Sequence, residues 1–210
     1  MSEAALREQI ALFGESLFNR GYGCGSSGNI SVRLDDGLLV TPTNSCMGRL
    51  DPARISKLDA GGQHLEGDKP SKEAFLHLAV YQERPEAQAV VHLHATHSVA
   101  VSCIEGLDPK DVLPPITAYY VMRVGKLPLV PYYRPGDKAL ADAVREIARS
   151  HHAMLLANHG PVVAGKALDA AVYSAEELEE TAKLFLLLRN ERVRLLTEEQ
   201  LADLAEAFPS

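Results

Sequence analysis

Three histidines in this chain have the types and spacing to hold a metal ion. His92 and His94 stand two apart in the apolar run Val90-Val91-His92-Leu93-His94. On a strand, residues i and i+2 point to the same face, so both imidazoles can reach one cation. His159 lies in Asn158-His159-Gly160, where a strand-like segment ends and the chain turns, a place from which a third ring can be projected. Three neutral nitrogens gathered on one side of an ion leave a coordination position open, as a catalytic zinc requires. A His-x-His pair taken alone is as often two half-exposed strand residues, so the third histidine matters. His97 is near in sequence, but it falls beyond Thr96, on the next helix, facing solvent or a partner.

Glu73 is the carboxylate to set beside them. It follows Pro70-Ser71-Lys72 at a helix start, where free N–H groups and the positive dipole end favour anions. An acidic residue in a first turn is most often a capping feature and nothing more. Gly28-Asn29, Thr43-Asn44 and Ser71-Lys72 all fall in turns with small or amide side chains. Such turns expose backbone N–H groups, and Lys72 adds a positive charge, which together suit a phosphate. None of these segments is a Walker or Rossmann pattern. Tyr119 and Tyr120 are by default packing residues with a polar tip.

The elements that must position these groups follow from periodicity. Residues 3–20 read as an amphipathic helix through Leu6, Ile10, Phe13 and Leu17. After a glycine-dense stretch come two strands, about Ile30–Leu34 and Leu38–Val40, joined by the turn signal Asp35-Asp36-Gly37. Ile55–Leu58 and His64–Leu65 flank Gly61-Gly62 as a second hairpin. A helix is expected over Ser71–Gln82, with Ser71 as its cap and Glu73 in its first turn. Ala89–Leu93 is a buried-strand candidate. Residues 137–150 are helical, with Asp137 at the N-cap. Met154–Leu156 and Pro161–Ala164 are strand-like, a long helix follows from about 168 to 190, and Glu198–Ala207 is a short last helix. Strands and helices intermix with no internal repeat or linker, which predicts one α/β domain over residues 1–210.

Bulk properties narrow the function. A net charge of −7 argues against a general nucleic-acid binder, which needs a basic face, but not against a small anionic substrate. No apolar run approaches the roughly 20 residues that span a bilayer, and Glu3, Arg7, Glu8 and Glu15 interrupt any signal-peptide core. Cys24, Cys46 and Cys103 are odd in number and form no CxxC pair, which fits a reduced cytoplasmic compartment.

Taken together, these segments resemble the class II aldolase/adducin family, from about Ala11 to Arg189. The carrying motifs are Ser27-Gly28-Asn29-Ile30-Ser31, Thr41-Pro42-Thr43, Pro70-Ser71-Lys72-Glu73, Ala89-Val90-Val91-His92-Leu93-His94 and Asn158-His159-Gly160. The resemblance implies a three-layer α/β/α sandwich with a central, mainly antiparallel sheet, assembled as a homotetramer with active sites at subunit interfaces. It implies one divalent ion per chain, Zn2+ with Mn2+ or Co2+ as substitutes, on His92, His94 and His159, and Glu73 as the acid/base near or on the metal. Gly28, Asn29, Thr43, Asn44, Ser71 and Lys72 would surround the phosphate of a small phosphorylated keto acid or sugar. The family's catalytic tyrosine, given by a neighbouring subunit, falls on Tyr119, with Tyr120 close by.

Two residues depart from the fuculose-phosphate aldolases, which resemblance would give a second serine at Lys72 and a glycine at Asn44. Both lie in the expected phosphate site. The stretches from Thr43 to Pro52, Asn158 to Lys166 and Ala175 to Lys183 look instead like the branch that removes carbon dioxide from 3-oxo-tetronate 4-phosphate. The alternative is a sugar-phosphate aldolase or 4-epimerase with the same metal site. A non-catalytic adducin-like binding protein would be expected to have broken ligands, and here all four are present.

Overall fold

The structure is a computed structural model that describes residues 1–134 and 136–208. Residues 209 and 210, the end of the expected domain, lie outside the described residues. The first half holds α1 (Glu3–Asn19), β1 (Asn29–Leu34), β2 (Gly37–Val40), β3 (Ser56–Asp59), β4 (His64–Glu66) and α2 (Ala74–Glu83). It continues through β5 (Ala89–His92), α3 (Thr96–Ser102), α4 (Ala118–Arg123), β6 (Leu129–Val130) and α5 (Ala139–Ala148). The last elements are β7 (Ala153–Leu156), β8 (Gly160–Gly165), α6 (Leu168–Leu187) and α7 (Glu198–Ala207).

The strands form one sheet in the order β4-β3-β2-β1-β5-β8-β7-β6. Every pairing is antiparallel except β6 with β7. Alternating side chains send each strand's residues to two separate cores. Ile30, Val32, Val91 and Val163 meet Ile10 and Leu17 of α1, Val101 of α3, Tyr120 of α4 and Val172 and Leu178 of α6. Leu38, Val90, Met154 and Val162 meet Leu76 and Val80 of α2 and Leu140 and Val144 of α5. The expected three-layer sandwich with a mainly antiparallel sheet is therefore what the chain forms.

β1 shows how the sequence divides the layers. Its apolar residues at 30 and 32 face α1 and α6, which leaves Asn29, Ser31 and Arg33 facing α2. In register, Asn29 lies opposite His92, so both project from the α2 side of the sheet.

Some local expectations need correction. The second helix begins at Ala74, not Ser71, and Glu73 occupies the cap position. The reason lies outside the helix: Ser71 N–H donates to Thr41 O at 3.2 Å and Pro70 bridges Pro42, which holds Ser71 in extended pairing. The Ser71 hydroxyl accepts instead from Glu73 N–H at 3.2 Å. At α5 the cap position is Lys138, although Asp137 Oδ1 still accepts from Ala139 N–H at 3.0 Å. Besides two single-turn 3-10 helices, Met47–Arg49 and Pro52–Arg54, a helix and a strand were not expected. α4 is six residues long and β6 two, both too short to show periodicity.

Candidate metal centre

His92 ends β5 and is fully buried. Its Nδ1–H donates to Pro161 O at 2.8 Å. That bond fixes the tautomer and leaves the Nε2 lone pair free as a ligand. β5 stops at His92, so His94 stands just past the strand rather than on it, before the chain enters α3. The two rings still converge, with 3.1 Å between their Nε2 atoms.

His159 comes from the tight β7–β8 connection. Asn158 adopts the left-handed conformation at φ 54°, and its N–H donates to Ser102 O at 3.2 Å. His159 N–H donates to the Ser102 hydroxyl at 3.3 Å. The connection passes so close to β5 that a Cβ on Gly160 would sit 2.2 Å from Leu93 O. Only glycine fits. His159 Nε2 then lies 3.3 Å from that of His92 and 3.2 Å from that of His94.

Glu73 completes the cluster, with Oε1 3.1 Å from His159 Nε2 and Oε2 3.5 Å from His92 Nε2. All four ligand atoms lie within 4.8 Å of one another. Three imidazole nitrogens turned toward one point repel unless a proton or a cation stands between them. Tetrahedral zinc with Zn–N of about 2.1 Å places its nitrogens roughly 3.4 Å apart, close to the 3.1–3.3 Å edges here. The donor set fits a divalent cation.

Electrostatics favours the required charge states. Burial pushes His92 down to about 3, and burial with the neighbouring His159 lowers His94. Both rings are neutral near pH 7 and can ligate. Burial opposes ionisation of Glu73, but a hydrogen bond from His159, positive charge on His92 and His159 and the Asn29 amide outweigh it and hold the carboxyl below its ordinary range, a charge that a bound cation would supply in place of the protons. Asn29 Nδ2–H donates to Glu73 Oε2 at 2.8 Å.

The structure thus brings together Glu73, His92, His94 and His159. A cleft of about 520 Å³ opens on His94 and His159 and is lined by Thr96, Val99, Tyr132 and Tyr133. Thr43 and Asn44 line a second cleft of about 430 Å³ with Gly25, Ser26 and Arg49. The loops carrying Thr43 and Ser71 are tied by Thr43 N–H to Lys69 O at 2.9 Å, and Lys72 is exposed beside them. Gly28 packs against His92 O, with φ 79°. Asn29 is buried, its side chain engaged by Glu73 and His77. Tyr119 stands apart from the cluster, 63% exposed on α4. Tyr120 is buried, its hydroxyl without a partner among the described residues and pushed up by burial.

Sequence reading missed Glu179. It is buried on α6 and accepts from His97 N–H and Ser98 N–H, each at 2.8 Å, and from the Ser98 hydroxyl at 2.6 Å. His97 is therefore not simply turned to solvent: its Nδ1 lies 2.8 Å from the same carboxylate. The signal was its position among four glutamates at 176, 177, 179 and 180: Glu179 stands four residues after Ala175 and three before Ala182, in line with the apolar face.

The family called Class II Aldolase and Adducin N-terminal domain matches residues 8–186. The chain belongs to this family. It is 55% identical over 203 residues to a 3-oxo-tetronate 4-phosphate decarboxylase from Escherichia coli, covering 96% of each chain. It is 36% identical over 192 residues to an L-fuculose phosphate aldolase from the same species, covering 90% of this chain and 86% of that one. Among solved structures, YgbL from Escherichia coli superposes with a TM-score of 0.94 at 53% identity, covering 96% of this chain and 98% of YgbL.

Proposed function

We propose that this chain is a metal-dependent carbon–carbon lyase that converts 3-oxo-tetronate 4-phosphate to dihydroxyacetone phosphate and carbon dioxide. It works in the cytoplasm as one domain over residues 1–210, in a homotetramer, with one divalent ion, zinc, per chain. The observation that carries the lyase chemistry is the triangle of Nε2 atoms with Glu73 beside it. What supports decarboxylation over aldol cleavage is the near-full-length similarity to decarboxylases, against 36% identity to the aldolase.

In this reaction the C1–C2 bond breaks, carbon dioxide leaves, and the electron pair on C2 spreads onto the C3 oxygen as an enediolate. A proton at C2 then gives dihydroxyacetone phosphate. A divalent cation on His92, His94 and His159 supplies Lewis-acid stabilisation of the developing charge on oxygen, several kcal/mol in such sites. The Pro161 carbonyl keeps His92 in the ligating tautomer. Glu73, held by Asn29, orders the water that protonates C2, or first takes up a proton from solvent and then delivers it to C2. Gly28, Thr43, Asn44, Ser71 and Lys72 receive the phosphate, whereas Asn29, expected among them, is buried with its amide engaged by Glu73 and His77 and serves Glu73 instead. Tyr119, exposed on α4, is offered to a neighbouring subunit's site, where it matters less than in an aldolase because no hydroxyl proton need be removed to release carbon dioxide.

Carbon dioxide release from 3-oxo-tetronate 4-phosphate, measured beside cleavage of fuculose and ribulose phosphates, tests this reading. Fast, metal-dependent release with little sugar-phosphate cleavage is expected. Efficient sugar-phosphate cleavage or epimerisation without carbon dioxide release would make the chain an aldolase or 4-epimerase instead.

A further inference from the structure

Behind Glu73 a chain of buried polar groups runs into the core between β1 and α2. On β1, Asn29, Ser31 and Arg33 recur every second residue, while Glu73, His77 and Tyr81 recur every fourth along the start and length of α2. Two residues of strand advance about 6.8 Å and four of helix about 6 Å, so the rungs stay matched. His77 Nε2 meets Asn29 Oδ1 in a short contact, and its Nδ1 lies 2.7 Å from Ser31 Oγ. Ser31 Oγ lies 2.8 Å from the Tyr81 hydroxyl. The last rung is Arg33, whose guanidinium stacks 4.6 Å from the Tyr81 ring centroid and donates to Tyr81 O at 2.8 Å.

The direction of every proton in this chain follows from its end. An ionised carboxylate only accepts, so the Asn29 group facing Glu73 is the amide N–H. Asn29 Oδ1 must then accept, and His77 Nε2 must carry the hydrogen. A neutral imidazole has one lone pair, here on Nδ1, which accepts from the Ser31 hydroxyl. Ser31 in turn accepts from Tyr81. His77 and Ser31 are fully buried and Tyr81 nearly so, so water cannot substitute for a missing partner.

We infer that His77 is a positioning residue: backed by Ser31 and Tyr81, it fixes the Asn29 amide so that its N–H aims Glu73 at the histidine cluster. Without the His77 N–H, the amide is free to turn and present oxygen to the carboxylate, which repels it. The inference rests on the reading of Glu73 as the group that handles the proton.

Three measurements on the metal-loaded enzyme test it. In wild-type protein with ¹⁵N-labelled histidine, ring ¹H–¹⁵N correlations should show His77 as the Nε2–H tautomer; the Nδ1–H tautomer would overturn the inference without any variant. His77→Phe keeps a ring but removes the donor. It should retain metal stoichiometry while kcat for carbon dioxide release falls roughly 10–100-fold, as lost outer-shell partners do, with KM nearly unchanged. His77→Gln restores an N–H donor and should recover most of the rate. In a Glu73→Gln background, His77→Phe should cost nothing more, since both act through one carboxylate. Additive losses, or a folded His77→Phe protein at wild-type rate, would refute positioning. Normal activity in Glu73→Gln alone would instead bring down the reading of Glu73.

Discussion

The carboxylate of Glu179 spans from α6 to the first turn of α3, where it takes both the backbone N–H and the hydroxyl of Ser98, at 2.8 and 2.6 Å. α3 has seven residues and is too short to stand alone. It begins two residues after His94, and its last residue, Ser102, holds the backbone of Asn158 and His159. One buried acid therefore secures the bracket between two of the three imidazoles. Glu179→Gln should destabilise the protein by about 2 kcal/mol, through donors left short of a charged acceptor. In a chain of this size that is a drop of roughly 5 °C in Tm. Metal affinity, read by competition with a chromophoric chelator, should fall about 10-fold. A lower Tm with wild-type affinity would show that α3 does not set the ligands.

Purified protein should carry one divalent ion per chain. His94→Ala and His159→Ala should lose most of it, because each removes one corner of the Nε2 triangle. Both residues are only partly buried, so circular dichroism should show the fold retained. Full metal content in both variants, by elemental analysis, would remove the centre from consideration.

Replacing Glu73 by Gln separates bond breaking from proton placement. The variant should keep its metal on the three histidines and still release carbon dioxide, about 10²–10⁴-fold more slowly if protonation limits the rate. In heavy water the wild type should place deuterium on one face of C2 only, and the variant on both. Product analysed by NMR after enzymatic resolution of its two faces decides this. Stereospecific labelling at normal rate would transfer the role to another group, Tyr119 first.

Lys72 is exposed on the turn before α2, and a phosphate contact from it would act equally in ground and transition states. Its loss in Lys72→Ala should raise KM by about 10-fold with kcat within a factor of two or so. A slower kcat at constant KM would contradict a phosphate role.

Burial holds His77 down to about 4 in the folded chain, against roughly 6.5 when unfolded. Between these values the unfolded chain binds the extra proton, so stability falls as pH drops through that window and is whole above it. The contribution is on the order of 3 kcal/mol. Urea midpoints of metal-free protein from pH 7 to pH 4 should therefore fall less steeply for His77→Gln than for wild type. His92 adds a fall of the same sign to both. Parallel curves would mean His77 is already protonated or exposed.

The centre was legible in the sequence because its ligands obey local rules: two residues apart at a strand end, and one in a tight turn. The hairpins and long helices were legible for the same reason, through alternation and helical spacing. What escaped depends on contacts between distant elements. Glu179 reads as a solvated helix charge until α3 is laid against α6. Ser71 reads as a helix cap until the Pro42–Pro70 bridge pulls it into extended pairing. The ladder from Tyr81 to Asn29 exists only because β1 turns its polar face toward α2. α4 and β6 were hidden by length alone.

The oxygen that sets the tautomer of His92 belongs to the main chain at Pro161. A point mutation there can change a side chain but cannot delete the acceptor. The proposed phosphate contacts at Thr43, Asn44, Ser71 and Lys72, by contrast, lie on turns whose side chains single codon changes alter freely. Substitutions at that rim would then change which phosphorylated substrate is held, while the orientation of the His92 ring stays set by the path of the backbone.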